Sequence, residues 1–227
     1  MNQKYFLNGP SVLKGKLKEV QNIIVMLHGY GSNGDDLIQI SEFLKEDSLN
    51  TLYTAPNAPY KYNQFSNAFK WFEVYPDGIP IDQAGPEQQA KTEKEFKESC
   101  RLIKDYIYQL SEKYKIELKN IFLLGFSQGS MMSLEVGTEL EKPIAGIISL
   151  SGRIYTENFK SKSRTKVPIL VIHGENDDII KSHRFYETCK ILSECGYNIE
   201  KHLLQNLGHT ISNDVIQITK KFIRLYK

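Results

Sequence analysis

Residues 121–129 read Ile121-Phe122-Leu123-Leu124-Gly125-Phe126-Ser127-Gln128-Gly129, and this stretch decides the fold that the chain can adopt. Four apolar residues in a row are typical of a buried strand. The pentapeptide that follows has the form Gly-x-Ser-x-Gly, in which a sharp turn from strand to helix strains the serine backbone and small neighbours allow close approach. Ser127 is therefore a candidate nucleophile, with a serine in an ordinary glycine-flanked turn as the alternative.

Short apolar runs recur on both sides of this stretch. They predict strands at residues 23–28, 52–55, 121–124, 144–150 and 167–172, and a weaker one at 201–204. Apolar residues at helical spacing lie between them, with the longest helix expected over residues 87–115. This alternation predicts an α/β fold with a mostly parallel central sheet and helices on both faces. In such sheets ligands bind beyond the carboxyl ends of the strands.

The composition is that of an ordinary globular protein. The chain has 227 residues, of which 41% are hydrophobic and 25% charged, with a net charge of +2. This length predicts one domain over residues 1–227, and the charge gives no reason to expect a nucleic-acid partner. We find no apolar run of the length that spans a membrane and no signal-peptide pattern in residues 1–7, so stable membrane insertion is not expected. Three cysteines without a Cys-x-x-Cys pair favour free thiols and a cytoplasmic location.

A serine hydroxyl needs a base, and the chain has five histidines. In folds with this motif the order along the chain is serine, acid, histidine, which excludes His28 and makes His173 a poor candidate. His183 falls in a helix pattern and His202 in the last strand. His209 follows that strand and precedes the final helix, so it is the predicted base, and Gly208 is expected to let its loop turn tightly.

The acid that orients the base should follow an earlier strand. The run at residues 167–172 is succeeded by a loop with three carboxylates, Glu175, Asp177 and Asp178. Each of them has suitable spacing to hold the imidazole in the right tautomer. The alternative is that all three are solvated loop charges.

The tetrahedral intermediate also needs donors for its oxyanion. One is the backbone N–H of the residue after the nucleophile, Gln128. The other is expected from the loop at residues 28–34, where glycines at positions 29, 31 and 34 suit close approach to a ligand. The alternative interpretation of residues 28–34 is a phosphate-binding loop, but this segment lacks the lysine of that motif.

Several segments together resemble the phospholipase/carboxylesterase family, which also contains the acyl-protein thioesterases. They are residues 27–37, 55–59, 71–72, 125–129, 173–177 and 208–209, spread over nearly the whole chain. The resemblance implies an α/β-hydrolase fold, Asp177 as the acid, the Tyr30 N–H as the second oxyanion donor, and Trp71 and Phe72 beside the acyl group. Relatives often have proline where this chain has Asp178, and Trp71 could instead be a core aromatic.

The expected activity is that of a serine carboxylesterase. Residues 151–166, between two predicted strands, are too few for a large lid domain, so residues 59–82 are the main cover and the groove should be open. Small or single-chain acyl esters suit such a site, with no cofactor and no metal. Acyl-protein thioesterase and lysophospholipase activities are the main alternatives. A peptidase and a noncatalytic binding protein are weaker alternatives. Relatives also make a homodimer an expectation.

Overall fold

A seven-stranded sheet forms the centre of the computed structural model, which describes residues 7–15, 19–45, 50–64, 67–156, 159–160 and 164–227. Its strands are β1 (Ser11–Lys14), β2 (Asn22–Leu27), β3 (Thr51–Thr54), β6 (Ile121–Phe126), β7 (Gly146–Leu150), β8 (Ile169–Gly174) and β9 (Ile199–Leu204). The spatial order is β1-β3-β2-β6-β7-β8-β9, and β1 alone runs antiparallel to its neighbour. A two-stranded hairpin, β4 (Tyr60–Lys61) and β5 (Phe69–Lys70), lies outside this sheet.

Helices cover both faces of the sheet, as the sequence predicted. They are α1 (Gly34–Ile38), α2 (Ser41–Leu44), α3 (Pro86–Tyr114), α4 (Gln128–Glu139), α5 (His183–Glu194) and α6 (Asn213–Tyr226). Alternate residues of each strand point to opposite faces. Ile23, Val25 and Leu27 therefore pack in the cluster that α3, α4 and α5 complete, whereas Ile24 and Met26 pack with α1, α2 and α6.

The observed elements differ from the predicted ones mainly at their ends. The strand expected at residues 144–150 begins at Gly146, and the one expected at 167–172 occupies Ile169–Gly174. Helix α3 ends at Tyr114 because Lys115 adopts a left-handed backbone conformation with φ of 53°. Within the described residues, no large lid domain is inserted between β7 and β8. Across those same residues, no helix has the length and apolar character needed to cross a membrane.

Candidate active site

Ser127 lies at the turn between β6 and α4, in a backbone conformation that few residues other than glycine adopt. Its φ is 55° and its ψ is −117°. Both motif glycines are sterically required, since a Cβ at Gly125 would overlap the carbonyl of Gly129, and one at Gly129 would overlap that of Leu27. The Ser127 N–H donates to the Leu150 carbonyl at 2.9 Å, which ties the turn to β7. The turn thus has the strained geometry that the pentapeptide predicts.

Asp177 is the carboxylate that contacts His209. The distance from His209 Nδ1 to Asp177 Oδ2 is 2.7 Å. The other oxygen, Oδ1, accepts the backbone N–H groups of Ile179 and Ile180 at 3.0 and 2.8 Å. The Asp177 side chain is fully buried and that of His209 is 15% exposed. A carboxylate with these partners is fixed in place and keeps the imidazole in one orientation.

The other two carboxylates of this loop point elsewhere, since Glu175 and Asp178 are both exposed to solvent. Hydrogen bonds join the loops after β8 and β9, with Glu175 N donating to Leu204 O at 2.9 Å and Asn176 N to Leu207 O at 3.0 Å. These bonds hold the segment that carries Asp177 beside the one that carries His209.

The tight turn before His209 differs from the expected one. Asn206 has the positive φ of 58° there, and Gly208 is not among the glycines with positive φ. The expectation that Gly208 makes this turn was therefore wrong. Asparagine adopts the left-handed conformation more readily than most residues, which explains why it can take this position.

Ser127 and His209 both lie at the edge of the sheet where the parallel strands end, but their side chains are not hydrogen-bonded to each other. The His209 ring lies 4.9 Å from the Phe126 ring, centroid to centroid, next to the nucleophile. Within the part of the chain that the structure describes, Ser127 Oγ forms no hydrogen bond. Contacts between nucleophile and base are often long in unliganded enzymes and tighten when substrate binds.

Two further histidines are buried near the site in structural roles. His28 Nδ1 lies 2.8 Å from Gly29 O, and its Nε2 accepts the Ala58 N–H at 3.1 Å. Burial lowers the pKa of His28 to about 4, so the ring is neutral. His173 Nε2 lies 2.7 Å from Ile180 O and 3.4 Å from Asp177 Oδ2, and burial lowers its pKa as well. Neither ring contacts Ser127 in these interactions.

The loop after β2 approaches the nucleophile closely. A Cβ on Gly29 would lie 3.3 Å from the Ser127 Cβ, and Gly31 has a φ of 74°. Among the described residues, neither the Tyr30 N–H nor the Gln128 N–H donates to a protein acceptor. Both predicted donors therefore remain available on the two sides of Ser127, one after β2 and one at the start of α4.

The structure corrects the interpretation of Trp71 and Phe72 as residues that line the groove. Both have no exposed surface, so they belong to the core. Trp71 Nε1 donates to the His28 carbonyl at 2.9 Å, and the Trp71 N–H donates to the Gln128 side-chain oxygen at 2.9 Å. Gln128 Nε2 donates in turn to the Phe72 carbonyl at 2.8 Å. This segment thus joins the two turns that carry the predicted oxyanion donors.

Glu73 contacts the loop after β2, and the sequence did not reveal this contact. Its carboxylate accepts the Tyr30 hydroxyl and pairs with Lys70, and it also accepts the backbone N–H groups of Val74 and Tyr75 at 3.0 and 2.9 Å. Burial alone would raise the pKa of Glu73, but these hydrogen bonds lower it overall. A carboxylate within residues 59–82 carries no sequence signal for such a role, because the Tyr30 hydroxyl that it accepts belongs to a residue 43 positions away.

The chain matches a family model described as Phospholipase/Carboxylesterase over residues 8–227. It belongs to the phospholipase/carboxylesterase family. Acyl-protein thioesterase 1 of Candida albicans is 28% identical over 218 residues, covering 88% of this chain and 90% of the relative. A probable carboxylesterase, SOBER1-like, of Arabidopsis thaliana is 26% identical over 234 residues, covering 97% of this chain and 86% of the relative. The crystal structure of esterase PE8 superposes with a TM-score of 0.87 at 28% identity, covering 98% of this chain and 100% of that chain.

Membership of the phospholipase/carboxylesterase family confirms the resemblance found in the sequence and the α/β-hydrolase fold. It also makes the chain an enzyme of the carboxylic ester hydrolase class, in keeping with the thioesterase and carboxylesterase names of its relatives. The family match alone assigns neither the substrate nor the roles of individual residues.

Proposed function

We propose that this phospholipase/carboxylesterase family member is a serine carboxylesterase that forms an acyl-enzyme on Ser127. The observation that carries the proposal is the 2.7 Å contact between His209 Nδ1 and the buried carboxylate of Asp177, beside the strained turn of Ser127. With Nδ1 in contact with Asp177, Nε2 is the nitrogen that can act as the base. No comparable arrangement is needed for a protein that only binds esters.

In the proposed reaction His209 Nε2 takes the proton of the Ser127 hydroxyl as Oγ attacks the ester carbonyl. The carbonyl oxygen becomes an oxyanion, which the backbone N–H groups of Tyr30 and Gln128 stabilise. His209 then gives the proton to the leaving alcohol or thiol, and the acyl group stays on Ser127. Water, activated by His209, releases the acid and restores the serine. Asp177 remains ionised and stabilises the imidazolium throughout.

The surroundings of the site support small or single-chain acyl esters as substrates. Exposed apolar side chains lie next to site residues: Tyr62 and Tyr75 pack edge-on against the Tyr30 ring at 5.2 and 6.1 Å, and Ile179 lies beside Asp177. An open apolar rim of this kind suits one acyl chain better than three. Thioester hydrolysis is the second candidate, favoured by the acyl-protein thioesterase relatives. Lysophospholipid hydrolysis is a further alternative, in keeping with the family description Phospholipase/Carboxylesterase.

A fluorophosphonate probe tests the nucleophile. We expect covalent labelling of the wild type and none of Ser127→Ala. Ser182→Ala is a matched control, because Ser182 precedes α5 and its side chain makes no capping hydrogen bond. A folded wild-type protein that remains unlabelled would overturn the proposal. p-Nitrophenyl esters of rising chain length, run beside palmitoyl thioester and lysophosphatidylcholine, then rank the substrate classes.

We further propose that residues 1–227 form a single α/β-hydrolase domain that acts in the cytoplasm without a cofactor or metal. The odd number of cysteines and the composition support this assignment. A homodimer is proposed on the strength of the family resemblance. Sedimentation equilibrium of the purified chain tests it, with a monomer mass near 26.1 kDa as the contrary result.

A further inference from the structure

Arg153 follows β7 at the strand-end edge, directly beside the turn of the nucleophile. The Ser127 N–H donates to Leu150 O and the Ser151 N–H donates to Ile172 O, both at 2.9 Å, so the end of β7 lies between Ser127 and the end of β8. Gly152 is so close that a Cβ there would lie 2.9 Å from the Ser127 carbonyl oxygen. A long side chain on the next residue can therefore reach a ligand bound at Ser127.

The guanidinium of Arg153 is half-buried and makes no close contact with a carboxylate of the described residues. Within the described ranges of the chain it forms no ion pair, and its sole hydrogen bond is a long one of 3.5 Å to its neighbour's carbonyl, Ile154 O. It lies 5.5 Å from the centroid of the Tyr155 ring. Burial lowers the pKa of Arg153, with Arg184 adding to the effect and Tyr155, Asp82 and Glu187 opposing it. An arginine nevertheless stays charged at neutral pH.

Arg164 shows how this chain treats an arginine with a structural role. Its guanidinium is 3% exposed and pairs with Glu135 at 2.9 Å. It also donates to Thr138 Oγ1 at 2.7 Å and to Phe159 O at 3.0 Å. Partners of this kind offset the cost of taking a charge out of water. Arg153 is half-buried, so its charge is also partly removed from water, but among the described residues it has no such partners to offset that cost. It lies at the edge of the site where substrate would bind.

We propose that Arg153 is a specificity-determining residue that binds a negatively charged group, a carboxylate or a phosphate, on the ester substrate. The inference rests on the proposed esterase function, because it takes the substrate to be bound at Ser127. A guanidinium can donate two parallel hydrogen bonds to either anion, and such charge-assisted bonds are about twice as strong as neutral ones. The enzyme would then select anionic esters from among the small acyl esters that fit its groove.

Matched substrates test this selection on the full-length protein. The acyl arm compares mono-p-nitrophenyl adipate with p-nitrophenyl hexanoate, which differ in a terminal carboxylate. The alcohol arms compare 4-carboxyphenyl and 4-phosphonooxyphenyl hexanoate with phenyl hexanoate. For the wild type we expect kcat/KM to favour at least one anionic ester over its neutral partner by about 10-fold or more, the equivalent of one charge-assisted interaction. The arm that responds identifies the anion and the side of the ester that carries it.

Variants then assign the selection to Arg153. Arg153→Gln should abolish the anionic preference, because it should lower kcat/KM for the anionic ester about 10-fold more than for its neutral partner. Arg101→Gln removes the same charge from the exposed face of α3, where Arg101 pairs with Glu98 and Asp105, and should leave the preference intact. A purely structural Arg153 would lower both esters equally.

Two results would overturn the inference: a wild type without preference for any of the three anionic esters, or a preference that survives in Arg153→Gln. The first needs no variant, so it holds even if Arg153→Gln fails to fold. Failure of the proposed esterase function would give a different result from failure of this inference, because Ser127 would then remain unlabelled and the neutral esters uncleaved.

Discussion

The proposed acid–base side and the proposed oxyanion side of the site are held in place by different kinds of contact. On the acid–base side, Asp177 and His209 lie on loops that follow neighbouring strands, β8 and β9, and backbone hydrogen bonds join those loops directly. On the oxyanion side, the turns after β2 and β6 are joined through a third segment, around Trp71 and Glu73, by side-chain hydrogen bonds. The first side follows from the sheet order, whereas the second depends on side chains far apart in sequence.

This difference predicts how mutations act on each side. A change on the acid–base side removes a group that takes part in the chemistry, so activity should be lost while the fold persists. A change in the segment that joins the oxyanion turns should misplace backbone donors that are themselves intact, which lowers kcat by smaller factors. Five experiments follow from this contrast.

The largest effect is expected for the nucleophile and its base. Ser127→Ala and His209→Ala should each lower kcat for a p-nitrophenyl ester by about 10⁴-fold or more, because each removes a group without which the proton transfer and attack cannot occur. The double variant should be little worse than either single one, since the two residues act as a unit. Steady-state kinetics at a known concentration of folded protein measures this, and additive losses would contradict a shared role.

The next largest effect is expected for Asp177→Asn. It should lower kcat by about 10⁴-fold, because an amide at this position favours the wrong tautomer of His209. Asp178→Asn is the matched control, since its exposed side chain lies one residue away and should change kcat less than about twofold. Equal damage from the two variants would mean that the acid has been assigned to the wrong residue.

The acid–base side was largely predictable from the sequence. The strand-end rule and the serine–acid–histidine order predicted His209 as the base, and three carboxylates remained open until the family resemblance and the contact to His209 favoured Asp177 as the proposed acid. The fold was predictable for the same reason, because hydrophobic runs and helical spacing are local patterns. Element ends and the turn at Asn206 departed from expectation, and the β4–β5 hairpin and the short helices α1 and α2 were not predicted.

The oxyanion side was predictable only in part. The glycines at positions 29 and 31 and the pentapeptide indicated which backbones approach the ligand. The role of Trp71 could not be derived, because its partners His28 and Gln128 lie 43 and 57 positions away. A buried aromatic and a groove aromatic look alike in sequence, and the tertiary contacts alone separate them.

Trp71→Phe tests the joining role directly. It keeps an aromatic ring but removes the N–H that donates to the His28 carbonyl. We expect kcat to fall about 10-fold with KM nearly unchanged, since the variant shifts the donors and not the groove. Unfolding free energy should also drop by about 1–3 kcal/mol because a buried acceptor is left unpaired.

Phe222→Leu provides the control for lost stability alone. Phe222 is a buried aromatic of α6 on the opposite face of the sheet. Its variant should lose stability to a similar extent while kcat at 25 °C stays at the wild-type value. If both variants lowered kcat equally, the effect of Trp71 would be one of general stability. A rise in KM for Trp71→Phe would instead restore its interpretation as a substrate contact.

Glu73→Gln should have a smaller effect of the same kind. The amide can still accept the Tyr30 hydroxyl but no longer pairs with Lys70 as an anion. We expect a fall of about threefold to fivefold in kcat, within the range for a modest misplacement of one donor. Glu93→Gln, on an exposed carboxylate of α3 paired with Lys97, should be neutral. Unchanged kcat in Glu73→Gln would show that the Tyr30 loop is held without this charge.

The last prediction concerns stability in acid. Below pH 6.5 the free energy of unfolding should depend on His28, a buried residue of the oxyanion side, whereas activity at neutral pH should be unaffected by its titration. The folded protein holds the pKa of His28 at about 4, below its ordinary value of 6.5, because the ring is buried, an effect that the Gly29 carbonyl and the charge of Asp36 offset only in part. The unfolded chain therefore binds a proton that the folded chain excludes between these two values. Stability should fall as the pH drops from about 6.5 to 4 and should gain nothing from this group at higher pH.

Urea unfolding at several pH values measures this contribution. The slope attributable to one such group is at most about 1.4 kcal/mol per pH unit, the energy of one proton per unit. In His28→Gln, which keeps a donor and an acceptor, the dependence of unfolding free energy on pH between 6.5 and 4 should be shallower by up to that amount. His202→Gln, a half-exposed histidine of β9 paired with Glu200, is the control. If both variants had the same slope as the wild type, the folded and unfolded states would bind the His28 proton equally, and burial would not lower the pKa of this ring.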